Sequence, residues 1–149
     1  MNNSTHGYKL ASRSKRFLAS VVETVIFTLF MALAFLGIGE SFVEYLNRDF
    51  ELLEIFSSAM AGIVIGGVFY PMFSGNLGHR IFKIKVISAE TGEDYDKAEK
   101  GAIRECLKYV LGYLIIPILW ILWDKKNQNL YDKLTKTLVV EKTKNENRL

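Results

Sequence analysis

Phe17–Gly39, FLASVVETVIFTLFMALAFLGIG, and Ile55–Phe73, IFSSAMAGIVIGGVFYPMF, decide the class of this chain. They hold 23 and 19 residues, and a single acid, Glu23, interrupts the first. At about 1.5 Å of rise per residue, helices of these lengths reach roughly 34 and 28 Å, against a bilayer core of about 30 Å. A soluble chain of 149 residues has no need of two such segments. The expected class is an all-α integral membrane protein with transmembrane helices at 17–39 and 55–73.

Charge gives the orientation. Residues 1–16 carry Lys9, Arg13, Lys15 and Arg16 and no acid. The 40–54 loop holds Glu40, Glu44, Asp49, Glu51 and Glu54 against Arg48 alone. The stretch 74–105 then brings Arg80, Lys83, Lys85, Lys97, Lys100 and Arg104. The positive-inside rule puts the N-terminus and 74–105 in the cytoplasm and the acidic loop outside. The net charge of +3 follows from this layout, so no nucleic-acid partner is expected. Ala32-Leu33-Ala34 resembles a signal-peptide cleavage site, but Glu23 and the continuation of the run to Gly39 argue against cleavage.

Length allows one domain over 1–149, and no repeat or low-complexity tract is evident. The lone Cys106 excludes an internal disulfide. The third apolar stretch, 106–123, contains Lys108, Gly112 and Pro117, and its clean part is too short to span. The basic tail 124–149, with Lys125, Lys126, Lys133, Lys136, Lys142, Lys144 and Arg148, belongs inside. Residues 106–123 therefore read as a re-entrant or interfacial helical segment in preference to a third span.

Between the spans and the tail, Arg80–Ile87 and Lys136–Glu141 read as short strands with one apolar face each. Their pairing would make a small cytoplasmic β element. Tyr95–Lys108 has the spacing of an amphipathic helix entered through Asp94 or Asp96. Ser58, Gly62 and Gly66 form a ridge of small residues for close helix packing, either against the first helix or in self-association. Trp120, Trp123, Tyr109 and Tyr113 read as interface anchors.

Three blocks resemble the RDD family of small bacterial membrane proteins, named for an arginine and two aspartates. They are Arg16–Glu23, Gly75–Val86, and Leu122–Leu134 followed by Thr137–Val140. The resemblance covers roughly Ala11–Glu141 and implies a multi-pass protein of the inner membrane, N-terminus cytoplasmic. It makes Arg16 the family arginine and Asp132 the second aspartate, with Asp124 in the same closing block. Glu23 stands in the first aspartate's place, His79 where lysine is usual, and Tyr131 where histidine is usual.

Glu23 lies seven residues after Arg16, about 10 Å further along one helix face. A carboxylate at that depth is costly unless it is paired, hydrated or protonated. Arg104, Lys108 and Tyr131 are the expected partners. Two readings stay open: a polar clasp locking the first helix to the cytoplasmic hairpin, and a proton or cation site.

Enzyme signatures are missing, so no catalytic residue, metal or cofactor is expected. His6 and His79 make a poor metal set. Gly75–Arg80 is basic enough to hold a phosphate or lipid headgroup, but a plain turn explains it as well. The implied partners are the lipid bilayer and a second copy or another membrane protein. Two function classes follow: a non-catalytic module binding a partner protein or lipid, and an oligomeric transporter of ions or small solutes using Glu23.

Overall fold

The computed structural model describes residues 4–38, 41, 43–44, 52–114 and 119–143. The chain is mostly helical. Helix α1 runs Arg13–Ile38 and α2 runs Leu52–Phe73, taking up the two apolar runs. Among the described residues, Ile55–Ile81 is the stretch long and apolar enough to cross a membrane. Only 17% of its apolar window is buried, unlike the core helix of a soluble protein. Phe17, Val25, Leu29 and Leu33 are likewise exposed along α1. Most of the 40–54 loop, Pro117, Lys144 and Arg148 lie outside the described residues.

Beyond α2 come α3 (Leu77–Ile81), β3 (Ile84–Ser88), α4 (Ala98–Gly112), a short 3-10 turn (Trp120–Leu122), α5 (Leu130–Leu134) and β4 (Thr137–Glu141). Strands β1 (Ser4–Thr5) and β2 (Tyr8–Lys9) form a hairpin before α1. The strand expected over Arg80–Ile87 starts only at Ile84. Asn76 caps α3 and draws Arg80 and Ile81 into the helix: its Oδ1 accepts the His79 N–H at 2.9 Å.

Strands β3 and β4 pair antiparallel, with Val86 opposite Val139, Ile84 opposite Glu141 and Ser88 opposite Thr137. Each follows the same local construction. An asparagine, Asn76 or Asn129, opens a five-residue helix. Three residues on, His79 Nδ1 or Asp132 Oδ2 accepts that asparagine's own backbone N–H, at 3.2 and 2.8 Å. A lysine with positive φ, Lys83 at 54° or Lys136 at 52°, then turns the chain into the strand. The two units are therefore related by a local two-fold through the Val86–Val139 pair. This repeat is easily missed in the sequence: Asn76/Asn129, Leu77/Leu130, Lys83/Lys136 and Val86/Val139 are identical, but the residues between them mostly differ.

Both faces of the sheet are buried, where the sequence predicts one. Ile84, Val86 and Val139 pack with Ala11, Ala19, Tyr70 and Tyr95. On the other face, Ile87, Leu138 and Val140 pack with Leu10 beneath Tyr8. The N-terminal hairpin supplies that second cover, with Leu10 bridging to Val140.

Helix α4 differs from its expected form in two ways. It begins at Ala98 after Lys97, which makes no side-chain cap, because Asp94 is engaged by Lys85 Nζ at 2.7 Å. It also runs unbroken through 105–106, where the sequence suggests a boundary. The small-residue ridge of α2 packs against α4 and not against α1. Ser58 Oγ meets Tyr113 OH at 2.7 Å. A Cβ at Gly62 would lie 2.8 Å from the Glu105 carbonyl oxygen, and one at Gly66 only 2.1 Å from that of Gly101. The order of these contacts makes the two helices antiparallel. The approach has to be this close, because α4 brings its charged face to α2 and α1 without room for intervening side chains.

Candidate functional site

The charged face of α4 carries Arg104, Glu105 and Lys108. Arg104 is fully buried and is the hub. Its Nη2 lies 2.5 Å from Asp132 Oδ1, its Nη1 lies 3.1 Å from Glu105 Oε1 and also donates to Tyr70 OH, and its Nε donates to Thr137 Oγ1 at 3.3 Å. The rings of Tyr70 and Tyr131 flank the guanidinium, with centroids 5.8 and 5.0 Å away. This is the arrangement a desolvated arginine requires: anions for its charge, acceptors for its fork and aromatic faces for its plane.

Asp132 owes its position to the opening turn of α5, where Oδ2 accepts the Asn129 N–H. The same oxygen takes Arg16 Nη2 at 2.5 Å, and Arg16 Nη1 also donates to the Asn127 carbonyl. Burial alone would raise the Asp132 carboxyl, but the guanidiniums of Arg16 and Arg104 outweigh it and hold the group below the usual carboxylate range.

From Arg104 the chain of charges continues into α1. Tyr70 OH donates to Glu105 Oε1 at 2.8 Å, and Lys108 Nζ lies 2.9 Å from Glu105 Oε2. Lys108 Nζ also reaches Glu23 Oε2 at 2.6 Å, where Asn76 Nδ2 donates at 2.7 Å. Cations and anions thus alternate in the order Arg16, Asp132, Arg104, Glu105, Lys108, Glu23. One atom stands outside: Glu23 Oε1 is buried with no hydrogen-bond partner among the described residues.

Arg16, Glu23, Arg104 and Asp132 therefore belong to one network, with no direct Arg16–Glu23 ion pair. Asp124 does not join them. Its Oδ1 accepts the Lys126 and Gln128 N–H groups at 2.9 and 3.1 Å, and Oδ2 lies 2.5 Å from Lys133 Nζ, so it organises a turn. Those bonds hold its carboxyl low despite some burial.

Sequence reasoning missed Glu105, Tyr70 and Asn76. Lys108 inside an otherwise apolar stretch was the available signal, because a cation among apolar side chains demands a nearby acid. His79 is also buried, but its Nδ1 is engaged by the Asn76 N–H. Among the described residues no group of three or more histidine, cysteine or acidic side chains is placed to hold a metal.

The RDD family model matches residues 10–136. No curated protein and no solved structure matches the chain. The match takes in Arg16 and Asp132, which join α1 to α5, and Glu23, which joins α1 to α4. The chain belongs to the RDD family.

Proposed function

We propose that this protein is a non-catalytic, multi-pass module of the inner membrane, with its N-terminus in the cytoplasm. In this reading α1 and α2 span the bilayer, and α4 enters from the cytoplasmic side and returns. The charge network is the clasp that locks α1 to the returning hairpin. The basic cytoplasmic face binds a partner protein or anionic lipid.

One observation carries the reading: three cations and three anions neutralise one another inside the protein, joining α1, α4 and α5. Such a closed set costs heavily when one member is removed, and it leaves little charge for a substrate. The topology is supported by the ties between the N-terminus and the tail. Ala11 N–H donates to the Val139 carbonyl at 2.9 Å, Asn127 Nδ2 to the Ala11 carbonyl at 3.1 Å, and Arg13 Nη2 to the Asp124 carbonyl at 3.2 Å. Helix α4 climbs to the level of Ser58 at Tyr113, and the chain is back beside Arg13 by Asp124.

The unpartnered Glu23 Oε1 favours a second reading, an oligomeric transporter of ions or small solutes that uses this carboxylate. Flux into proteoliposomes, with Glu23→Gln alongside, separates the two. The module reading expects no flux above empty liposomes. Flux by the native chain that Glu23→Gln abolishes, with thermal stability retained, would overturn it in favour of transport.

A further inference from the structure

A cavity of about 430 Å³ opens between the 3-10 turn and the segment that leads into α5. Trp120 and Trp123, their ring centroids 6.3 Å apart, line it together with Lys125, Lys126, Gln128 and Lys133. Asp124 also borders it, but its carboxylate is spent on Lys133 and on two backbone N–H groups. Lys125 and Lys126 have no ion-pair partner among the described residues. The lining therefore carries two uncompensated positive charges. In the same 3-10 turn and next to it in the chain, Leu119, Leu122 and Trp123 are exposed apolar side chains.

A ligand for this place needs both a phosphate-like anion and hydrocarbon. We propose that the cavity is a headgroup site for an anionic glycerophospholipid, with the phosphate against Lys125 and Lys126, the glycerol beside the indoles, and the acyl chains along Leu119 and Leu122. Tryptophan next to lysine is the pairing expected at the level of lipid headgroups. The proposal deepens the reading of a lipid-binding basic face and rests on it: it names the place and the lipid class.

The chain has two tryptophans and both border the cavity, so tryptophan emission excited beyond the tyrosine band reports on this site. The full-length protein is placed in phosphatidylcholine nanodiscs containing increasing phosphatidylglycerol. We expect a saturating change in tryptophan emission. Its apparent affinity should fall on the order of tenfold in the Lys125→Gln/Lys126→Gln double variant and stay unchanged in Lys97→Gln/Lys100→Gln. No change with phosphatidylglycerol, or equal losses in both double variants, would overturn the site in favour of diffuse surface charge. An equal change with soluble glycerol phosphate in phosphatidylcholine discs would assign the cavity to a free phosphate and overturn the lipid assignment. Nanodiscs expose both membrane faces, so a wrong orientation of the chain would leave this result standing while failing the accessibility test given below.

Discussion

Arg104 answers to two carboxylates, and neither it nor they can be rehydrated without opening the fold. Removing one member of a buried pair typically costs about 3–5 kcal/mol, because the remaining charge is left desolvated. Asp132→Asn removes the carboxylate that Arg16 and Arg104 share, so it should lower the thermal unfolding temperature more than the loss of an exposed pair does. Lys136→Gln, which removes the surface bridge to Glu90, is the control and should leave the unfolding temperature nearly unchanged. The pH dependence has a definite sign. Because the folded Asp132 carboxyl is held below its ordinary value of 3.8, its contribution is complete above that value and is lost as pH falls through the lowered one. An acid-unfolding titration should show native stability dropping in that range, with the drop reduced in Asp132→Asn. Glu23 was visible in the sequence as an acid needing a partner, and Asp132 only through the family resemblance. Which cation each takes was not, because Arg16 and Glu23 share a helix face yet turn to different segments.

The glycines of the element interfaces separate cleanly into those with room and those without. A Cβ at Gly78 would sit 2.1 Å from the Ala19 carbonyl oxygen, and one at Gly66 equally near that of Gly101. Backbone cannot yield as a flexible side chain does, so Gly78→Ala and Gly66→Ala should each cost about 1–3 kcal/mol. Gly67, one residue along α2, has nothing within 4 Å, and Gly67→Ala should be neutral or gain up to about 1 kcal/mol from helix propensity. Unfolding temperatures of the three variants test this directly. The hinge lysines make a second test. Lys83 and Lys136 hold a left-handed backbone that glycine adopts freely, so Lys83→Gly should be tolerated, whereas Lys83→Val should destabilise by about 1–2 kcal/mol. The small-residue ridge was legible from its spacing. Its partner was not, since a ridge of Ser58, Gly62 and Gly66 says that something packs closely and not what. The β3–β4 pairing was legible from β-branched runs. The caps that shorten β3 depend on Asn76 and His79 meeting in three dimensions.

For the whole molecule, the proposed topology makes one accessibility pattern. With Cys106 replaced, single cysteines at Lys9, Lys97 and Lys142 should react with an impermeant reagent only after the membrane is opened, and a cysteine at Glu44 should react in intact cells. Labelling of Lys142 from outside would require 106–123 to cross fully and would break the ties between the tail and the N-terminus. The family was legible only as a resemblance carried by Arg16–Glu23, Gly75–Val86 and Leu122–Leu134 with Thr137–Val140, whereas the mostly helical plan was legible from the apolar runs 17–39 and 55–73. The N-terminal hairpin was not, because Ser4–Lys9 is polar and buries its contribution through Leu10 and Tyr8 alone. One consequence concerns synthesis. The partners of Arg16 and Glu23 sit at Asp132 and Lys108, so α1 must leave the ribosome and settle long before either counter-charge has been made. The opening helix is committed first and balanced last, and the chain's final third acts as the closing step of its own assembly.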